Sequence, residues 1–270
     1  MASVMKDSGI EWIGLIPEQW SICKLKYLLK KPMQYGANET GVAYSEELPR
    51  YVRITDISSD NKLKDFGKLS LPNDVAKEFL LEDGNILFAR SGATVGKSFI
   101  YKKEYGLCAF AGYLIRAITN DKILPKYIYY YTLSSAYESW KNRVFIQATI
   151  QNIGADKYSN MQISVPSTID EQEKIVTFLD DKIGEIDTIL SKTRESIEEY
   201  RKYKNAVVAE TITKGLDKTV TMKESGIEWI GKIPNHWEVH TLSQVFMQLK
   251  NKNSNLSLIF EAKKEWSANI

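Results

Sequence analysis

Fifteen residues of this chain occur twice. Lys6–Trp20 reads KDSGIEWIGLIPEQW and Lys223–Trp237 reads KESGIEWIGKIPNHW, identical at 11 of 15 positions with an offset of 217. A period this long does not build a solenoid; it points to a duplicated domain. Far fewer residues follow the second copy than the first, so the second unit is expected to begin and then be cut off. Within the first copy, Trp12, Ile13, Ile16, Pro17 and Trp20 form an apolar cluster punctuated by Gly9 and Gly14. It reads as a packing motif that opens a domain, with a direct ligand role as the alternative.

The second constraint is a long helix. Thr168-Ile-Asp-Glu171 has the pattern of a capping box, in which a hydroxyl and a carboxylate satisfy free N–H groups at a helix start. From there to Lys214 there is no proline, and Gly215 supplies a stop. Apolar residues recur at alternating steps of three and four: Val176, Leu179, Ile183, Ile186, Leu190, Ile197, Tyr200 and Val207, interrupted by Thr193 and Lys204. This is the register of a coiled-coil seam. At 1.5 Å per residue such a helix is about 67 Å long and needs a long partner for its stripe. Pairing with another chain is expected; packing against the globular part is the alternative.

Composition adds exclusions. The chain has 270 residues, 43% hydrophobic and 26% charged, with a net charge of +2, which suits one or two globular domains. No stretch approaches the roughly 18–20 apolar residues of a membrane span. Met1–Glu18 has no apolar run of signal-peptide type. Two cysteines, Cys23 and Cys108, build no disulfide framework, so a cytoplasmic location is expected. Charge is uneven: residues 1–169 carry +4 and residues 170–214 carry −3. A solvated surface explains this as well as a nucleic-acid partner does.

The first 168 residues alternate short strands and turns. Strands are expected at Tyr51–Ile57, through Gly84–Arg90, at Lys97–Tyr101, at Gly112–Ile118 and at Met161–Val165. A helix is expected from Leu124-Pro125 to about Asn142, with Tyr127, Tyr130, Tyr131, Tyr137 and Trp140 in the core rather than stacking on bases. The Arg90–Lys97 loop is the best chemical candidate. Its glycines let backbone N–H groups approach a phosphate, and Arg90, Ser91, Thr94 and Lys97 supply donors. It is not a Walker A loop, because the first glycine of that motif is missing. In Gln147–Asn152, Gln147, Gln151 and Asn152 are residue types that read adenine bidentately, and Thr149 lies among them. A Gly-rich hairpin turn and a polar surface loop are the respective alternatives.

Catalytic constellations are missing. There is no G-x-G-x-x-G fingerprint, no Asn-Pro-Pro run and no nucleophile elbow. Asp180-Asp-Lys182 mimics the end of a nuclease motif but falls on the long helix. His236 and His240 lie four apart without a companion ligand. No cofactor, no metal site and no enzymatic activity are expected.

The combination resembles the DNA-specificity (S) subunit of type I restriction-modification systems. The resemblance rests on GIEWIGLIPEQW at 9–20, GNILFARSGATVGK at 84–97, the segment from Ile146 to Asp180, and KESGIEWIGKIPNHWEV at 223–239. It covers about residues 6–248. It implies a non-catalytic subunit whose recognition domain reads part of a split double-stranded DNA target. It implies long helices that space the two halves and dock modification (methyltransferase) subunits, with restriction subunits joining indirectly. DNA contacts would come from loops around Arg53, Arg90–Lys97 and Gln147–Asn152.

The expected class is α+β. A mixed α/β target-recognition domain (1–168) precedes a coiled-coil helix (169–215), the start of a second repeat (216–248) and an irregular tail (249–270). A chain so cut would read one half of a bipartite site, and a homodimer through the long helix would restore a second half. Competing readings are a stand-alone DNA-binding or scaffold protein and an inactive truncated product.

Overall fold

The structure is a computed structural model that describes residues 4–58, 61–92, 94–146, 152–248 and 260–262. The fold is α+β: a mixed domain is followed by the helix Ile169–Lys214. The chain divides into two compact units, 1–185 and 186–270. Among the described residues no helix is long and apolar enough to cross a membrane.

The first unit is built on two four-stranded sheets. One is antiparallel, in the order Gln34–Tyr35, Leu114–Ala117, Ile86–Ala89, Ser98–Ile100. The other runs Cys108–Phe110, Arg50–Val52, Leu69–Ser70, Val42–Ala43, and its first pair is parallel. The strand Ile86–Ala89 is buried throughout because both its faces are covered. Ile86 and Phe88 join a large cluster with Leu25, Ile115, Ile128, Tyr137, Trp140, Tyr158 and Ile163. Leu87 and Ala89 point the other way, to Val52, Phe99, Phe110 and Leu114. Alternation along a strand puts successive side chains on opposite faces, so here one strand serves two cores. The strand Ser21–Lys24 pairs with Gln162–Val165 and brings the end of the unit back to its beginning.

Two expected elements are corrected. Of the segment 51–57 only Tyr51 and Val52 lie in a strand, Arg50–Val52; a 3-10 turn, Ile54–Asp56, follows. The Asp56 carboxylate accepts the Arg53 backbone N–H at 2.8 Å, and this local bond bends the chain out of the ladder. The expected helix from Pro125 to Asn142 is two helices, Pro125–Tyr131 and Ser135–Ile146. The Ser134 hydroxyl donates to the Tyr131 carbonyl at 2.7 Å and accepts the Tyr137 N–H at 3.3 Å, ending one helix and capping the next. Tyr127, Tyr131, Tyr137 and Trp140 are buried, whereas Tyr130 is half-buried and its hydroxyl donates to Asp180. The remaining strands are shorter than expected: Ser98–Ile100, Leu114–Ala117 and Gln162–Val165.

The long helix starts with the hydroxyl half of its expected capping box, and the carboxylate half is turned to another partner. Thr168 Oγ1 accepts the Glu171 N–H at 3.2 Å, while the Glu171 carboxylate accepts the Trp20 indole N–H at 2.9 Å. The first repeat is thereby tied to the helix start. The helix ends at Gly215, whose φ of +75° suits glycine and whose N–H donates to the Thr211 carbonyl. Along the stripe, Val176 is buried in the large cluster, and Leu179 and Ile183 are half-buried. Ile186, Leu190, Ile197, Tyr200 and Val207 are exposed.

In the second unit the repeat refolds into the hairpin of the first. Met5–Asp7 pairs with Leu15–Pro17, and Met222–Glu224 pairs with Lys232–Pro234 in the equivalent register. The turn bonds match too: Ser8 N–H to Gly14 O at 3.0 Å, and Ser225 N–H to Gly231 O at 2.9 Å. Part of the stretch expected to be irregular is ordered, since Phe260–Ala262 pairs with Phe246–Gln248. Leu256, Leu258, Phe260 and Ala262 alternate with Ser257, Ile259 and Glu261, a strand pattern obscured by the polar residues on either side.

Candidate nucleic-acid interface

The Arg90–Lys97 loop closes the hairpin between Ile86–Ala89 and Ser98–Ile100. Ala89 N–H donates to Lys97 O at 2.8 Å, and Gly96 N–H donates to Ala89 O at 3.0 Å. Gly92 and Gly96 have φ of +83° and +84°. At Gly96 the turn requires glycine, and a Cβ would also displace the flexible aliphatic chain of Lys141.

Two buried phenols fix the loop from beneath. Tyr158 OH donates to Ala89 O at 2.8 Å, and Tyr137 OH donates to Gly96 O at 2.5 Å. Burial pushes both phenols above their ordinary range, which keeps them protonated donors. The two ends of the loop are thereby anchored to the core.

Arg90 lies at its base. Its carbonyl accepts the Ile153 N–H at 2.8 Å, and Ser91 bridges Asn152. The two segments singled out from the sequence thus meet, at least through Asn152. Gln147, Thr149 and Gln151 lie outside the described residues. The Arg90 guanidinium carbon lies 5.0 Å from the centroid of the Tyr35 ring, a cation–π contact. Arg90 Nε and Asn152 Oδ1 are both buried without a hydrogen-bond partner.

Tyr35 was not legible as a site residue. It arrives from 55 positions upstream on the strand Gln34–Tyr35. Gly36 makes this close approach feasible, because a Cβ there would lie 2.4 Å from the Ala111 carbonyl oxygen. The Tyr35 hydroxyl accepts the Ala155 N–H at 3.0 Å, which holds the ring. Exposed Tyr113 accepts the Arg90 N–H through its carbonyl at 3.0 Å.

Other candidates are engaged within the protein. Arg53 forms a two-point bond with Asp56, at 3.0 and 2.7 Å, and reaches the Gly67 carbonyl. Asp56 raises the Arg53 pKa and fixes its charge. The Lys97 ammonium donates to the Ser58 carbonyl, tying the loop to a neighbouring segment. Thr94 is half-buried, and its carbonyl accepts the Lys97 N–H. His236 and His240 gather no metal-ligand set: among the described residues, no three His, Cys, Asp or Glu side chains are grouped for an ion.

Comparison with known proteins decides the family. The model of the type I restriction modification DNA specificity domain matches residues 50–199, more than half of the chain. The chain belongs to this family. Specificity subunits are non-catalytic. Two relatives of this specificity chain come from Methanocaldococcus jannaschii. The type I restriction enzyme MjaVIII specificity subunit is 25% identical over 232 residues, covering 85% of this chain and 50% of its own. The putative MjaX specificity subunit is 29% identical over 239 residues, covering 84% and 52%. The specificity chain thus spans about half the length of the curated relatives it matches. Among solved structures, a chain of a type I R-M system superposes with a TM-score of 0.59 at 19% identity, covering 80% of this chain and 50% of its own. The HsdS subunit from Thermoanaerobacter tengcongensis gives 0.50 at 18%, covering 77% and 47%. These two show the shared fold.

Proposed function

We propose that this chain recognises DNA for a type I restriction-modification system. Its domain of residues 1–168 reads one half of a bipartite double-stranded target, and its long helix docks modification subunits. The observation that carries this reading is the family match over 50–199, which runs from within the recognition domain into the long helix. The geometry supports it: a hairpin loop anchored at both ends holds Arg90 next to the segment that carries Asn152. The chain itself supplies recognition, while methyl transfer and cleavage belong to the partners.

Co-expression with its modification subunit, followed by affinity purification and mapping of methylated bases, tests the proposal. A stable complex and methylation at one defined sequence are expected. Failure to co-purify, with sequence-specific DNA binding retained, would favour a stand-alone DNA-binding protein. A second reading, a homodimer, is favoured by the exposed stripe from Ile186 to Val207.

A further inference from the structure

The first unit holds five arginines. Four have engaged guanidinium groups: Arg50 donates to the Lys64 carbonyl, Arg53 to Asp56, Arg116 to the Leu80 carbonyl and Gln34, and Arg143 to Glu11. Arg90 is the fifth, and its guanidinium has no hydrogen-bond acceptor among the described residues. Arg50 and Arg116 also keep a buried, unmatched Nε, but their Nη groups are engaged; a guanidinium with no acceptor at all among the described residues needs a reason.

Its setting supplies one. Tyr35 covers the guanidinium and is itself held by Ala155, so the side chain is stacked before any ligand arrives. Nε is buried, which leaves the two Nη groups as the fork still to be matched. A phosphate contact asks only for positive charge within reach. Arg90 has instead given up rotamer freedom and part of its hydration in the free protein, which suits a partner of fixed geometry. Asn152, across the bridge from Ser91, likewise keeps a buried, unmatched amide oxygen. Two side chains of types able to read bases thus keep unmatched polar atoms on adjoining segments.

We propose that Arg90, seated on Tyr35, is a specificity-determining residue that presents its Nη fork to the edge of a guanine in the major groove. Guanine is the base whose O6 and N7 acceptors match that fork. The assignment rests on the DNA-recognition reading above. Tyr35 acts through Arg90 as a positioning residue.

The test is selection from a random DNA duplex library with the full chain, using wild type, Arg90→Lys, Arg90→Gln and Tyr35→Phe. Wild type should enrich a motif containing a guanine that Arg90→Lys no longer specifies. Preference at that position should fall on the order of 10- to 100-fold. Tyr35→Phe, which keeps the ring, should retain it. Replacing that guanine by 7-deazaguanine, which lacks the N7 acceptor, should weaken wild type and leave Arg90→Lys unaffected. If Arg90→Lys enriches the wild-type motif unchanged, the assignment is overturned and the DNA reading survives. The same holds if Arg90→Gln weakens all sequences alike and flattens the salt dependence, as loss of a phosphate contact does. If wild type enriches no sequence, both readings fail. Should Arg90→Lys not fold, as judged by circular dichroism, the 7-deazaguanine scan on wild type decides: insensitivity at every guanine overturns the proposal.

Discussion

At the scale of single residues, burial sets the chemistry. Cys108 lies on the strand Cys108–Phe110 with no exposed surface, and burial pushes its thiol up to about 11. Alkylation requires the thiolate. Native Cys108 should therefore resist iodoacetamide at about pH 8, while half-buried Cys23 is modified first; peptide mapping of the labelled protein checks this. The sign for stability follows. The unfolded thiol loses its proton near its ordinary value of 9.0 and the folded one only at about 11. The contribution is fully present below the lower value and is lost as pH rises through the higher. A Cys108→Ala variant should lose part of that alkaline decline in denaturant titrations. Rapid labelling of Cys108 in the folded chain would show that the strand opens.

At the scale of elements, the start of the long helix is held by a polar residue as well as by its apolar stripe. Gln172 is buried; its Oε1 accepts the Leu124 N–H at 2.9 Å and its Nε2 donates to the Lys122 carbonyl at 3.1 Å. Gln172→Ala leaves two backbone groups unmatched and should cost about 1–3 kcal/mol, measured by urea unfolding. An unchanged midpoint would mean that water replaces the amide. The helix itself was legible, because capping, a proline-free run and an apolar register all agree between Thr168 and Gly215. Gln172 was not, since a glutamine beside that register reads as surface. The same limit applies elsewhere. The Asp56 side chain converts an alternating strand pattern into a turn, and Ser134 divides a continuous helical pattern. Both act through a side-chain bond to nearby backbone, which residue periodicity does not register. The Arg90 loop was readable from its glycines and donors. Its stacking partner Tyr35 was not, because the contact depends on the Gly36–Ala111 crossing.

At the scale of the molecule, the stripe on the long helix is the face expected to govern assembly. Ile186 and Leu190 are 54% and 46% exposed, and the apolar row continues through Ile197, Tyr200 and Val207. Large exposed apolar patches are rare on soluble proteins. Antiparallel pairing of two copies would bury both rows in a closed two-fold dimer, with a split palindrome as target. Sedimentation should give a dimer at about tens of micromolar, and Ile186→Asp/Leu190→Asp should stay monomeric. A wild-type monomer at that concentration would leave the stripe to the modification subunits.

The two matching hairpins carry a different consequence. Trp12 is half-buried under Arg143, whereas its counterpart Trp229 is 83% exposed, yet the turn bonds and strand register are preserved. The hairpin therefore keeps its shape without a cover over that tryptophan, from its own backbone bonds, its buried Ile233 and the packing of Pro234 and Trp237 against Gly215. It works as a standard fitting. Any domain spliced into the chain behind such a hairpin meets the same preformed entrance, whatever its own surface reads.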